Sequence, residues 1–176
     1  MNEIHRLAIV SPHARFYTTR LVVGRNTRID DGCIITGNVE IGDYVHIAAN
    51  CLITGTAGVV IGNYTGIAAF TSILTATDDF SGRSMVGPTV PTKYRKFLKR
   101  GQVIIGRNVI VGSHSVVMPG IVLNDGCGIG AHSLVKQDCD ADTLYGGVPA
   151  KKIKPRSQDV WTLTREFESE LAENGE

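Results

Sequence analysis

Aliphatic residues recur at every sixth position over most of this chain. The series runs from Val23 to Ile53, resumes at Ile61 after a two-residue insertion, and resumes again at Ile105 after a long interruption. Its fifteen members are all β-branched except Leu123: Val23, Ile29, Ile35, Ile41, Ile47, Ile53, Ile61, Ile67, Ile73, Ile105, Val111, Val117, Leu123, Ile129 and Val135. A period of six fits neither an α-helix nor one long strand, and instead predicts a short strand and a turn, repeated along the chain.

A second series lies two residues before the first and contains only apolar, hydroxyl or thiol side chains: Leu21, Thr27, Cys33, Val39, Val45, Cys51, Val59, Thr65, Thr71, Val103, Val109, Ser115, Ile121, Cys127 and Ser133. Because side chains alternate across a strand, both series face the same, inward side. Small residues often follow the aliphatic position and allow a tight turn. Three units close one triangular coil, so fifteen units predict five stacked coils, with Cys33 and Cys51 as core neighbours.

This pattern resembles the left-handed β-helix of the hexapeptide acyltransferases over residues 20–156. The resemblance implies an all-β fold, a left-handed parallel β-helix of about five coils with a long protruding loop and a short C-terminal helix. The left-handedness comes from the resemblance, because ordinary crossover connections are right-handed. We therefore expect an acetyltransferase domain in residues 1–156, which contains an extended loop at 76–102, and a helical tail in residues 157–176.

The loop at 76–102 is the longest interruption of the repeat. Apart from Asp78 and Asp79, its charged residues are all basic: Arg83, Lys93, Arg95, Lys96, Lys99 and Arg100. A basic loop suits a ligand that carries phosphate, such as a coenzyme or a sugar nucleotide, and Arg83 is a candidate for binding the substrate. A solvated surface loop is the alternative interpretation.

The end of the repeat reads G-G-V-P-A-K-K-I-K-P-R over residues 146–156 and closely resembles the terminal signature of the maltose, galactoside and xenobiotic acetyltransferases. This resemblance implies acetyl-CoA as the co-substrate and places Lys151 and Lys154 near its phosphates. The segment V-G-S-H at 111–114 is similar to the I-G-S-H segment of the galactoside enzymes. That similarity implies that the backbone amide near Ser113 faces the thioester and that Ala131 lies along the pantetheine groove. A basic strand terminus without a ligand is the alternative.

The family's catalytic histidine has no counterpart here, because its position at the start of the loop falls on Asp78. A carboxylate with a pKa of about 4 is a weak base for a hydroxyl acceptor unless its surroundings raise that pKa. Three alternatives stay open: Asp78 or Asp79 is the base, His46 is the base, or the acceptor is an amine that needs less activation. His46 faces outward and lies in an I-G-D-x-V-H-I segment that resembles the sugar N-acetyltransferases. Asn50 lies near the galactoside enzymes' acceptor-binding asparagine.

These resemblances together imply an acetyl-CoA-dependent O- or N-acetyltransferase. The acceptor would be a sugar, a sugar nucleotide or a surface-glycan unit that attacks the thioester directly, as in bacterial polysaccharide pathways. Backbone amides of the coil would stabilise the oxyanion. The family assembles as trimers with the coenzyme groove between subunits, which implies a homotrimer. The alternatives are a non-catalytic scaffold that binds the coenzyme and a γ-carbonic-anhydrase-like metalloenzyme. No metal is expected, since the five histidines offer no set of three zinc ligands in register.

Composition adds limits on partners and location. The 176 residues include 18 basic and 17 acidic side chains, so no overall field favours nucleic acid or a membrane surface. No apolar stretch approaches the ~20 residues of a membrane span. The N-terminus lacks the pattern of a signal peptide, which predicts a cytoplasmic protein. The four cysteines form no C-x-x-C pair, so we expect buried thiols.

Overall fold

A computed structural model describes residues 2–174 as a parallel β-helix with one C-terminal helix. The strands are β1 (Asn2–Ile4), β2 (Ile9–Val10), β3 (Arg15–Val23), β4 (Arg28–Ile29), β5 (Ile34–Ile41), β6 (His46–Ile47), β7 (Leu52–Ile61), β8 (Gly66–Ile67), β9 (Ser72–Leu74), β10 (Ala76–Thr77), β11 (Lys99–Arg100), β12 (Val103–Ile105), β13 (Ile110–Val111), β14 (Val116–Val117), β15 (Val122–Leu123), β16 (Gly128–Ile129), β17 (Leu134–Val135), β18 (Thr143–Gly146) and β19 (Lys151–Pro155). A 3-10 helix spans Thr92–Tyr94, and helix α1 spans Asp159–Glu173.

Two large sheets wrap the coil. The eight-stranded sheet forms one face in the order β19-β18-β16-β13-β8-β6-β4-β2. The nine-stranded sheet covers the other two faces, because β3, β5 and β7 each run through a corner and pair along both of their halves. The strands pair in parallel except at β19 and in the β10–β11 ribbon. This arrangement is the left-handed β-helix that the hexapeptide pattern predicts.

The core is built from the two inward series. All thirty positions are buried, with none more than 4% exposed. The four cysteines are buried free thiols, as expected. Where the second series carries a hydroxyl, that hydroxyl can form hydrogen bonds with backbone groups of the turn in the next coil. Thr65 donates to the carbonyl of Gly106 at 2.8 Å, and its oxygen accepts a hydrogen bond from the N–H of Val109. Periodicity therefore fixes both the apolar filling and part of the polar bonding of the interior.

The two-residue insertion before Ile61 is absorbed at one corner of β7. The pairing of Gly37 with Gly55 is followed by the pairing of Val39 with Val59, so the stacking interval grows by two residues there. A side chain at Gly37 would lie 2.5 Å from the backbone of Gly55, so only glycine fits this close approach. The interval of 20 residues then holds in the pairing of β6 with β8 and of β7 with β9.

An N-terminal coil precedes the predicted repeat. β1, β2 and the first half of β3 stack on the coil that follows, with Ile4 beside Val23 and Val10 beside Ile29. The interval in these pairs is 19 residues rather than 18, because one extra residue shifts the register between Thr18 and Arg20. Ile4, Val10 and Phe16 keep a six-residue spacing among themselves, but they are out of phase with the series that begins at Val23.

Helix α1 packs across one corner of the coil. Thr164 is buried against Asn108 at 3.0 Å, and Trp161 donates to Asp142 at 2.7 Å. The helix lies in the predicted segment, and Leu163 on it is 61% exposed. Residues 175 and 176 of the predicted tail lie outside the described residues. No helix in the described part of the chain is both long and apolar enough to cross a membrane.

Candidate active site on one face of the coil

The eight-stranded sheet presents a column of outward residues in which His46 is paired with Gly66 above it and Arg28 below it. The His46 side chain is 53% exposed. Its Nε2 lies 2.8 Å from Oδ2 of Asp30, and the other carboxylate oxygen of Asp30 accepts from Nε of Arg28 at 2.6 Å. Although burial alone would raise the pKa of Asp30, the hydrogen bonds from His46 and Arg28 hold it below its ordinary value. Asp30 therefore stays ionised and orients the imidazole.

An apolar cavity of about 190 Å³ opens directly beside His46. Its lining is almost entirely small or aliphatic: His46, Ala48, Gly66, Ile67, Ala68, Ala69 and Ile110. The space exists because Gly66 contributes no side chain between His46 and Ile110 in the outward column.

A column of backbone amides runs along the adjacent corner. The column consists of four residues that stack in successive coils: Ala49, Ala69, Ser113 and Ala131. The residue that follows each of them has positive φ, and in the upper three coils its N–H donates to the carbonyl of the column residue one coil below: Phe70 to Ala49, His114 to Ala69, and His132 to Ser113. Within residues 2–174, the N–H groups of Ser113 and Ala131 donate to no protein acceptor. Two outward-facing amide donors therefore lie one coil apart, as a carbonyl-bearing ligand laid along this corner would need.

The rings at this corner form a continuous stack. Phe70 and His114 are parallel with centroids 4.8 Å apart, and His114 and His132 repeat this geometry. Asn50 occupies the same corner one coil below Phe70, where its side chain covers Gly32. The structure thus brings Asn50, His46, Ser113 and Ala131 to one edge of the molecule.

The signature segment closes the top of this edge as strand β19, antiparallel to β18. Lys152 is paired with Asp140 at 3.1 Å. Lys151 and Lys154 are exposed, and neither has an ion-pair partner in the part of the chain that the structure describes. Arg156 instead serves the fold, because its Nη1 donates to the carbonyls of Gly126 and Cys127 at 2.6 and 3.0 Å.

The loop leaves the coil at a different corner, on the antiparallel ribbon of β10 and β11. Asp78 accepts from the N–H of Gly87 at 2.9 Å and from Arg95 at 3.1 Å. The Gly87 hydrogen bond, followed by Arg95, lowers the pKa of Asp78. Asp79 accepts from the hydroxyl and the N–H of Ser81, which lower its pKa as well. Both carboxylates are thus held as anions that organise the loop, the opposite of the raised pKa a general base needs.

The loop itself encloses a wide basic recess of about 650 Å³. It is lined by Gly82, Arg83, Ser84, Met85, Lys93, Tyr94 and Lys96. The Arg83 guanidinium lies 4.4 Å from the centre of the Phe97 ring, which holds it in place. Arg83 and the two loop aspartates therefore form a group of their own, away from the face that carries His46.

The sequence predicted that Gly66 stacks above His46 and leaves open space there, but Asp30 was missed as part of the site. Asp30 lies in the coil below His46, so the stacking interval was the signal that pointed to it. Among residues 2–174, no three histidine, cysteine, aspartate or glutamate side chains are grouped as metal ligands. The prediction that no metal is used stays a prediction.

The sequence of the chain matches known proteins of one family. Residues 21–55 and 102–137 match the bacterial transferase hexapeptide (six repeats) model. The dTDP-4-amino-4,6-dideoxy-D-glucose acyltransferase of Escherichia coli is 40% identical over 162 residues, which cover 90% of this chain and 84% of that protein. The chain belongs to the bacterial hexapeptide transferases.

Solved structures of this family agree with the assignment. AntD, an N-acyltransferase from Bacillus cereus, is 36% identical in its complex with dTDP and 3-hydroxybutyryl-CoA, with a TM-score of 0.92 over 97% of this chain and 91% of AntD. A maltose O-acetyltransferase from Clostridium difficile, 23% identical, shares the fold with a TM-score of 0.55 over 89% of this chain and 70% of its own. This hexapeptide transferase is an acyl-CoA-dependent enzyme that modifies sugars, as the sequence predicted.

Proposed function

We propose that this hexapeptide transferase acylates the amino group of a nucleotide-linked sugar, with acetyl-CoA as its smallest donor. The observation that carries the choice of an amine is the state of the loop carboxylates. Asp78 is ion-paired with Arg95 and its pKa is lowered, so the position of the family's catalytic histidine holds no strong base. A neutral amine is nucleophilic enough to attack before it loses a proton, whereas a hydroxyl is a poor nucleophile unless a base removes its proton as it attacks.

The donor would lie along the corner that carries the amide column. Lys151 and Lys154 would meet the coenzyme phosphates at the top of the coil, and Ala131 would line the pantetheine groove. The N–H of Ser113 would then donate to the thioester oxygen as negative charge develops on it. The amine nitrogen bonds to the thioester carbon and loses a proton to a base, and the carbon–sulfur bond breaks. The departing sulfur takes the proton back from that base, so coenzyme A leaves as the thiol.

His46 is the proposed acceptor for the proton that the attacking nitrogen loses. It lies beside the cavity at the thioester end of the column, and Asp30 stabilises its protonated form. Asn50, at the same edge, is the proposed contact for the sugar. Asp78 and Asp79 are assigned to holding the loop, and Arg83 to the nucleotide phosphates.

The loop and His46 occupy different edges of one chain, so a complete site would need two subunits. We therefore propose a homotrimer in which the loop of one subunit covers the coenzyme face of its neighbour, in the cytoplasm, where nucleotide sugars and acyl-CoA are both available. Mixing His46→Ala and Arg83→Ala subunits tests this directly. Each variant alone should be inactive, and re-assembled mixtures should recover activity at about a quarter of the interfaces. Activity that stays absent in mixtures would place both residues in one chain's site.

The choice of acceptor is tested with a matched pair of sugar nucleotides. Purified enzyme and acetyl-CoA are assayed for thiol release with dTDP-4-amino-4,6-dideoxyglucose and with the corresponding 4-hydroxy sugar nucleotide. We expect turnover with the amine and at least hundredfold less with the alcohol. Equal turnover, or preference for the alcohol, would overturn N-acylation. Binding of acetyl-CoA without turnover of either sugar nucleotide would favour the non-catalytic scaffold, and failure of acetyl-CoA to bind would overturn the proposal.

A further inference from the structure

Gly66 leaves a gap in the outward column that the backbone does not require. A Cβ built there would meet only Cδ1 of Ile110, at an ordinary contact distance of 3.5 Å. The glycines that directly follow an inward aliphatic residue differ, since a Cβ at Gly62 or Gly112 would lie 2.7 or 2.4 Å from backbone atoms of the next coil. Gly66 also lacks the positive φ that favours glycine elsewhere in the chain. Its missing side chain therefore serves the cavity rather than the fold.

The position of this cavity relates it to the donor. Ala69, in its lining, lies directly below Ser113 in the amide column, because the N–H of His114 donates to the Ala69 carbonyl. Coils are spaced about 4.8 Å apart, so the cavity begins one layer from the amide assigned to the thioester oxygen. A donor that descends from Lys151 past Ala131 to Ser113 would point its acyl chain into this space.

The lining of the cavity fits an alkyl chain. Ala48, Ala68 and Ile110 supply an apolar wall, and Ile110 remains 48% exposed among residues 2–174. The volume of about 190 Å³ is several times the space taken by one methyl-sized group (about 30 Å³ for a water). An acetyl methyl alone would leave most of this apolar surface in contact with water.

We propose that the Gly66 cavity is an acyl pocket, and that it selects CoA thioesters whose acyl group has three or four carbons over acetyl-CoA. This inference rests on the proposed function and extends it to the choice of donor. Each methylene buried against the wall favours binding by about fourfold, equivalent to about 0.8 kcal/mol. Ile110 forms the upper wall, and His46 lies at the rim, where the attacking amine would approach the carbonyl carbon.

The test measures binding and turnover of acetyl-, propionyl- and butyryl-CoA. Calorimetry of the enzyme with each thioester needs no acceptor and separates binding from chemistry. We expect wild-type enzyme to bind butyryl-CoA about fifteenfold more tightly than acetyl-CoA, because two methylenes are buried, and to use it with a higher kcat/KM. In Gly66→Val the preference should disappear while acetyl-CoA binding changes by less than about threefold. The donor preference of Gly66→Ala, whose added methyl makes only ordinary contacts, should lie between those of wild type and Gly66→Val.

Ile104→Ala is the matched control, because Ile104 is an outward, 39% exposed aliphatic residue of the other sheet. It should leave the donor preference unchanged. The proposal is overturned if wild-type enzyme uses acetyl-CoA but gains nothing with butyryl-CoA, or if Gly66→Val weakens both donors equally. A change confined to the KM of the acceptor would assign the cavity to the sugar instead. If none of the thioesters binds, the proposed function itself fails along with the pocket.

Discussion

Nε2 of His46 lies 2.8 Å from Oδ2 of Asp30, one coil below it. An ionised carboxylate only accepts hydrogen bonds, so in the neutral imidazole Nε2 carries the proton and Nδ1 presents a lone pair. The contact thus selects the tautomer and the ring orientation at the edge of the cavity. Asp30 acts through His46 and is a positioning residue.

Replacing Asp30 with asparagine should lower kcat/KM about tenfold, since the amide cannot stabilise protonated His46 or hold one tautomer. The loss should fall on kcat more than on the KM of either substrate, because Asp30 orients the base and is not assigned a contact with substrate. Arg28→Met is the control: it removes the other partner of Asp30 and should change the rate far less. Full activity in Asp30→Asn, or a loss confined to KM, would contradict the assigned role of this pair.

The two unpaired lysines of β19 should contribute to coenzyme affinity. Lys151→Ala and Lys154→Ala are each expected to weaken coenzyme A binding by about three- to tenfold, with a smaller loss at high salt because screening already reduces the attraction. Lys152→Ala provides the control within the same strand, since Lys152 is engaged with Asp140. Calorimetric titration with coenzyme A measures all three. An equal loss in Lys152→Ala would indicate a general charge effect.

Stability at low pH should depend on Asp78. Its folded-state pKa lies below the ordinary value of about 3.8, so its contribution is present above that pH and is lost as the pH falls through the lowered pKa. Urea unfolding of wild type and Asp78→Asn should therefore differ at pH 7, and the difference should shrink as the pH falls below 3.8 through the lowered pKa. A difference that does not shrink with falling pH would mean that the asparagine disturbs the loop in another way.

The buried hydroxyls of the core should be more sensitive than the thiols. Thr65→Val removes the partner of both the Gly106 carbonyl and the Val109 amide, and should cost about 1–3 kcal/mol of unfolding free energy. Cys51→Ser is the comparison, because a hydroxyl can replace the thiol that donates to the Ala68 carbonyl. Thermal or urea unfolding gives both values. A larger loss in Cys51→Ser would show that packing of the sulfur outweighs its hydrogen bond.

Most of the coil could be predicted because the alternation of side chains across a strand and the six-residue period are both properties of short segments of the chain. Each inward residue needs only its own strand and turn to be assigned a side, and all thirty assignments agree with the observed burial. The first coil escaped prediction because its 19-residue interval breaks the repeat. The helix was predicted in the right segment, but the way it docks was not, since polar contacts such as Thr164 with Asn108 contribute to it.

The sequence by itself determined the β-helix, its inward residues and the family signature at 146–156, because these depend on spacing along the chain. Only the tertiary structure decided what the outward residues do. It paired His46 with Asp30, left a cavity at Gly66, and engaged Asp78 with Arg95. The reason is physical: outward side chains acquire their partners from neighbouring coils and from the folded loop, and no local period specifies those contacts.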